Sequence, residues 1–301
     1  MLKVLMIAFF ALFFSGAHAK SPRLLYVESP IYIGGAGLFH NFNIVLGCLD
    51  LYDRYDYIAV KIDFGDQGLY YESSYGPNWW NYYFEPGSYP QRSNSKRKPL
   101  LKRLQDEEKA EIGNAVHFYM KRERAHELIA KYVRVKQEFL EEVEAFYKEH
   151  LEGSFIIGVH YRGTDKWFEA NRVSHEEVFS KVEAVMAAHK YVKIFVATDE
   201  SSFLEKMKER FGKNICYIEA QRFDGHPVHY ISNKCFLKGK EALIDCLLLA
   251  KSDVLIRTNS NLSAVSAYFN PNMEVFSLNT VNDFLYRGIS GKGVLNELNA
   301  R

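Results

Sequence analysis

The chain has 301 residues, 48% of them hydrophobic and 25% charged, with a formal net charge of +1. That is an ordinary globular composition, long enough for one large domain or two of usual size. It excludes the basic field on which nucleic-acid binding depends, and the short run Lys96-Arg97-Lys98, set among Ser, Asn and Pro, reads as a solvated loop.

The first residues form a separate unit. Met1-Leu2-Lys3 precedes an apolar run from Val4 to Phe14 and then Ser15-Gly16-Ala17-His18-Ala19. A charged start, a short hydrophobic core and an A-x-A exit make the pattern of a secretory signal peptide. The run of about 11 residues is well short of the roughly 20 needed for a membrane-crossing helix. Cleavage is expected after Ala19, giving a mature chain from Lys20 that is secreted or held in a secretory or periplasmic compartment, without stable membrane insertion.

Arg23 to Glu28 predicts a first strand, followed by the glycine turn Gly34-Gly35-Ala36-Gly37. Leu38 to Tyr55 predicts an amphipathic helix with Phe39, Phe42, Leu46 and Leu49 on one face. Tyr57 to Phe64 predicts a second strand. Strand, glycine turn, helix, strand opens a doubly wound fold, and Gly35 and Gly37 would let the backbone approach a phosphate. A simple turn is the alternative, because G-G-x-G is not the full dinucleotide fingerprint.

Tyr70 to Pro99 is irregular and crowded with rings, among them Tyr70, Tyr71, Tyr75, Trp79, Trp80, Tyr82, Tyr83, Phe84 and Tyr89. Long loops in compact domains are usually functional or disordered, and disorder would waste so many rings. Two readings stay open: a stacking surface for sugar rings, or a satellite core that pins the loop. From Leu101 to about His150 the chain is helical in character, with a break expected near Gly113-Asn114. Tyr132, Val135, Phe139, Val143 and Phe146 keep the spacing of one buried stripe. His126-Glu127 begins like a zinc-protease H-E-x-x-H, but Ala130 fills the last position. Residues 20–152 are accordingly read as an N-terminal α/β domain with an aromatic loop and a helical bridge, and residues 153–301 as a second domain.

That second half alternates cleanly. The pattern predicts strands at Phe155 to His160, Lys193 to Ala197, Ile215 to Ile218, Asp253 to Ile256 and Glu274 to Phe276. Helices are predicted at Ser174 to Lys190, Ser201 to Phe211, Lys240 to Lys251 and Leu262 to Phe269, the first with a Ser174/Glu177 capping box. Repeated strand–helix units imply a parallel sheet with right-handed crossovers. The four cysteines, Cys48, Cys216, Cys235 and Cys246, contain no C-x-x-C pair. Cys48 and Cys246 sit in apolar helical patterns as buried thiols, and export would permit a Cys216–Cys235 disulfide.

Parallel strands end on one edge, so His160 through Lys166, Thr198-Asp199-Glu200 and Thr258-Asn259-Ser260-Asn261 are expected to converge on one crevice. Arg162 suits a diphosphate, since its planar fork donates paired hydrogen bonds and keeps its charge. Ser260, Asn261 and Ser263 lie at a helix start, where free N–H groups favour an anion, although plain capping is the bland alternative. No D-x-D triplet occurs, and a metal-binding diphosphate site usually gathers carboxylates. A site without metal is the expectation.

These residues carry a resemblance. His160-Tyr161-Arg162-Gly163-Thr164-Asp165-Lys166 is similar to the H-x-R-x-x-D-K signature of the α1,6-fucosyltransferase, nodulation fucosyltransferase and protein O-fucosyltransferase superfamily. The match continues through Val196 to Glu200, Gly239 to Asp245 and the Ser-rich turn after Ile256. The resemblance implies a GT-B architecture of two Rossmann-type domains facing a cleft, with GDP-fucose as donor and a glycan or protein hydroxyl as acceptor. It implies that Arg162 meets the β-phosphate, His160 shapes the nucleotide pocket, Asp245 reads guanine, and Ser260 to Ser263 hold phosphate oxygens. Thr198 and Asp199 line the same crevice. In the core-fucosylating branch a Glu follows the motif Lys by four residues as the base. Here that position is Ala170, with Glu169 one earlier, and Gly163 replaces the branch's second Arg. Glu169, then Asp165, are the carboxylates assigned to proton abstraction beside Arg162 and Lys166. The expected function is an inverting glycosyltransferase. The rivals are an exported two-lobed solute- or glycan-binding protein and an inactive relative that only binds.

Overall fold

Short runs rich in Val, Ile and Phe, two to seven residues long and alternating with amphipathic stretches, build a parallel sheet covered by helices. The computed structural model describes residues 23–28, 36–55, 57–66, 68–87, 100–101, 120–163, 171–224 and 234–279. The expected signal peptide, and with it the expected cleavage site, lies outside the described residues.

The larger sheet contains β4 (Phe155–Tyr161), β5 (Val192–Thr198), β6 (Ile215–Cys216), β7 (Val254–Arg257) and β8 (Glu274–Ser277), in the order β6-β5-β4-β7-β8. All pairings are parallel. Successive residues feed opposite faces. Ile157, Val159, Ile194, Val196, Val254 and Ile256 join one buried cluster. It is closed by α5 (His175–Met186) and α6 (Ser201–Phe211), through Phe179 and Phe203 among others. Ile156, Phe195, Ala197 and Leu255 belong to the other cluster. That face is covered by α4 (Gln137–His150), α7 (Cys235–Leu249) and α8 (Asn261–Phe269). Gly158 is glycine for a reason of space, because a Cβ there would run into Ser252 Oγ and the Leu249 side chain.

A smaller parallel sheet has the order β2-β1-β3, from β1 (Arg23–Glu28), β2 (Tyr57–Asp63) and β3 (Leu100–Leu101). Between β1 and β2 runs α1 (Leu38–Arg54), which packs on α3 (Arg122–Tyr132) and on α8 from the second half of the chain. The core cluster of α1 therefore continues into α7 and α8. Arg124 ties the end of α1 down with bonds to Asp50 and Asp53, both at 2.8 Å.

Most predicted elements stand within a few residues, including the Ser174/Glu177 capping box. Two expectations change and one open choice closes. The described helical stretch breaks at Val133–Lys136, where Val135 bridges Phe84, and Leu100–Leu101 is strand because it pairs with β1; Gly113-Asn114 lies outside the described residues. The described part of the aromatic loop, residues 70–87, is a satellite core. Trp79, Trp80, Tyr82, Tyr83 and Phe84, the last four spanning the short helix α2 (Trp80–Tyr83) and its end, are buried, and Phe64 stacks on Trp79 at 4.6 Å. Tyr75 is exposed, but its face is taken by Phe236 at 4.0 Å. Rings packed on rings gain more than single exposed faces would, and they do not present a sugar platform. Finally, Cys216 and Cys235 are not joined, so the expected disulfide does not form.

Candidate functional site

In the larger sheet the chain moves outward from β4 to β5 and β6, then returns to the other side of β4 for β7 and β8. The direction reverses between β4 and β7. In open parallel sheets the crevice beyond the strand ends at such a reversal is where ligands bind. Strand register makes the ends level: His160 is opposite Ala197 and Arg257, and Tyr161 opposite Thr198. The segments that leave these strands therefore share one edge.

At the reversal the two strands are stitched together. Thr258 N donates to His160 O (3.0 Å) and Arg162 N donates to Thr258 Oγ1 (2.9 Å). Arg162 Nε lies 3.3 Å from Asp199 Oδ2, an ion pair between the segments that leave β4 and β5. His160, just inside, is 5% exposed, and its Nδ1 has no partner among the described residues. Burial, reinforced by the charges of Arg257 and Arg162, pushes its pKa down to about 3. The ring is neutral at physiological pH, so it offers a hydrogen bond without a charge.

The helix start beside it is held from within. Ser260 Oγ accepts from Leu262 N (3.3 Å) as the N-cap of α8. Ser263 Oγ donates to Thr258 O and Ser260 O, at 3.4 and 3.2 Å. Arg257, buried at the end of β7, donates from Nη2 to Ser260 O (3.0 Å). Both serine hydroxyls are thus engaged in building the turn, and the cap reading accounts for them. Asn261 Oδ1 accepts from Asn43 Nδ2 of α1 (3.0 Å), a link from the first half of the chain to the edge.

On the other side of Arg162, Glu200 is buried and its Oε1 accepts from Ser202 Oγ (2.8 Å) and faces His175 Nε2 (3.1 Å). Burial lowers the His175 pKa against the pull of Glu200. Gly163 leaves room for this carboxylate, since a Cβ there would meet Glu200 Oε2 and the Tyr161 ring. Asp245, on α7, is buried with Oδ1 unpartnered among the described residues, and burial raises its pKa to about 7 despite Arg222.

Of the sequence-derived site residues, Arg162, His160, Thr198, Asp199, Ser260, Asn261 and Ser263 meet at this edge. Gly37 is the N-cap of α1 in extended backbone, with Asn41 Nδ2 3.3 Å from its carbonyl. Gly35, Asp165, Lys166 and Glu169 lie outside the described residues. Arg257, His175 and Asn43 were not singled out from sequence; a lone Arg at the end of an apolar strand was the only signal for the first. Among the described residues no three His, Cys, Asp or Glu side chains are grouped to hold a metal ion.

Set against known proteins, the chain matches the model of the nodulation protein Z (NodZ) family over residues 42–293. The chain belongs to the nodulation protein Z family. Nodulation protein Z of Sinorhizobium fredii is 25% identical over 197 residues, covering 60% of this chain and 61% of that protein. The Bradyrhizobium diazoefficiens protein is 24% identical over 222 residues, covering 67% and 60%. This chain thus spans about three fifths of the curated relatives it matches. Among solved structures, NodZ α1,6-fucosyltransferase soaked with GDP-fucose superposes with a TM-score of 0.58 at 18% identity, over 87% of this chain and 99% of that one. Fucosyltransferase NodZ from Bradyrhizobium gives 0.55, also at 18% identity, over 87% and 99%. The shared fold is α/β, a parallel sheet with helices on both faces.

Proposed function

We propose that this protein is an inverting fucosyltransferase of GT-B type that takes GDP-fucose and delivers the sugar to a hydroxyl of a glycan or protein. The observation that carries the reading is the reversal-point crevice between β4 and β7, with Arg162 set on Asp199 and Thr258. Family membership and the NodZ structure soaked with GDP-fucose agree with it.

An acceptor oxygen attacks the anomeric carbon as its bond to the diphosphate breaks, and a carboxylate takes the acceptor proton. Glu169 is the first choice for that carboxylate and Asp165 the second. Charge growing on the leaving diphosphate would be met by Arg162 and the start of α8, so these groups bind the transition state more tightly than the donor. Lys166 would add a second cation beside them. On this reading no metal is needed, because a fixed cation and helix-start amides do that work. The domains would divide at residues 152/153, with the donor held by the second. Export by the expected signal peptide would place the reaction in a secretory or extracytoplasmic compartment supplied with GDP-sugar.

A panel of nucleotide sugars, scored by slow hydrolysis and by transfer with and without chelator, tests the proposal. Turnover of GDP-fucose in chelator is the expected result. Binding without turnover of any donor would support the binding-module alternative, and turnover only with added metal would remove the metal-free mechanism.

A further inference from the structure

Beside the crevice, Asp245 Oδ1, Gln221 Nε2 and Arg222 Nε are buried polar atoms with no hydrogen-bond partner among the described residues. Native proteins leave few such atoms, and each calls for an explanation. Asp245 sits midway along α7 and is 8% exposed. Gln221 and Arg222 lie on the segment that leaves β6, and that segment is fixed in two places. Gln221 N donates to Glu241 Oε2 (3.2 Å), one turn before Asp245 on α7. Phe223 N donates to the carbonyl of Asp199 (3.0 Å), the residue paired with Arg162. Arg222 acts electrostatically on both Glu241 and Asp245. Its two terminal nitrogens hold the carbonyls of Ala220 and Ile218, at 3.1 and 2.8 Å, which leaves Nε as the orphan.

We propose that Gln221 and Arg222 are the donor half of a base-reading pocket whose acceptor half is Asp245, and that together they select guanine among the purines. The assignment rests on the GDP-sugar reading above, and it adds two residues that fall in none of the motifs behind the resemblance. A carboxylate only accepts, while the nitrogens of Gln and Arg only donate. Guanine presents N1–H and the 2-amino group as donors beside O6 and N7 as acceptors, so both halves are satisfied. Adenine turns the pattern round: its 6-amino donor would face the donor side and its bare N1 the carboxylate. A site built from buried hydrogen-bonding groups rejects such an analogue because its own groups are left unpaired. The hydrogen bond from Phe223 N to Asp199 O sets the segment after β6 against the diphosphate crevice, so the two would be neighbouring parts of one site.

Calorimetric titration of the full chain with GDP, IDP, ADP and inorganic pyrophosphate tests this. The wild-type protein should bind GDP more tightly than IDP, and IDP more tightly than ADP. Gln221→Leu should weaken GDP about tenfold, narrow the GDP-to-ADP ratio and leave pyrophosphate binding unchanged. Arg222→Lys keeps the charge without the Nε donor and should narrow the same ratio. Unchanged ratios in both variants would overturn the assignment. So would a GDP loss matched by an equal pyrophosphate loss, which would mark these residues as holding the loop. Wild-type protein that binds pyrophosphate but treats GDP and ADP alike contradicts the base pocket while sparing the crevice. Failure to bind any diphosphate removes the functional reading as well.

Discussion

The aromatic segment from Phe64 to Phe84 and the crevice between β4 and β7 are both rich in groups that can bind sugars or nucleotides, yet they are built in opposite ways. In the first, rings close on rings: Trp79 and Tyr83 are fully buried, and even the exposed Tyr75 is covered on one face by Phe236. In the second, buried polar groups are left unmatched among the described residues: His160 Nδ1 at the end of β4, and Asp245 Oδ1 on α7. Residue type alone does not separate a core from a site. Whether the chain satisfies its own groups does.

Substitutions in the two regions should therefore separate stability from binding. Trp79→Ala should cost the most, about 3–5 kcal/mol of stability, read as a lower midpoint in urea, while the molecules that remain folded bind GDP normally. Arg162→Ala should do the reverse. Its loss of GDP affinity should be about 2–3 kcal/mol, near a hundredfold, from a charged hydrogen bond, with the urea midpoint little changed.

A smaller effect is expected from Asp245. Its raised pKa, near 7, means the carboxyl is largely protonated below that pH, with Arg222 and Glu241 as its charged neighbours. The ionised form is the acceptor for guanine, so GDP affinity should rise about tenfold per pH unit below 7 and level off above 8. Asp245→Asn should flatten that dependence, and the difference between the two titrations removes the contribution of the diphosphate itself. The smallest change expected is from Ser260→Ala. Loss of the α8 cap should cost about 1 kcal/mol of stability and weaken GDP only slightly, because the Ser260 hydroxyl is engaged with Leu262 N.

How far the sequence could be read obeys the same division. The second half was legible because its strands are short apolar runs rich in Val, Ile and Phe that alternate with amphipathic stretches, and because Ser174 with Glu177 marks one helix start. Convergence of Arg162, Asp199 and Thr258 was legible because parallel strands end together. Contacts between distant residues were not. Nothing periodic announces that Asn43 meets Asn261, or that Arg257 turns along the edge to hold Ser260 O. Gln221 and Arg222 stand out only once Glu241 is seen to hold the Gln221 backbone N–H, and the Asp199 carbonyl that of Phe223. The aromatic loop was ambiguous for another reason: a sugar platform and a satellite core draw on the same residues, and only packing tells them apart.

The central claim is that the β4/β7 crevice grips a diphosphate through Arg162. Calorimetry of the wild-type protein and Arg162→Ala with GDP tests it most directly. Binding by the wild type that weakens about a hundredfold in a stably folded variant is the predicted result. Equal affinity in the two proteins, or no binding by the wild type, would contradict it.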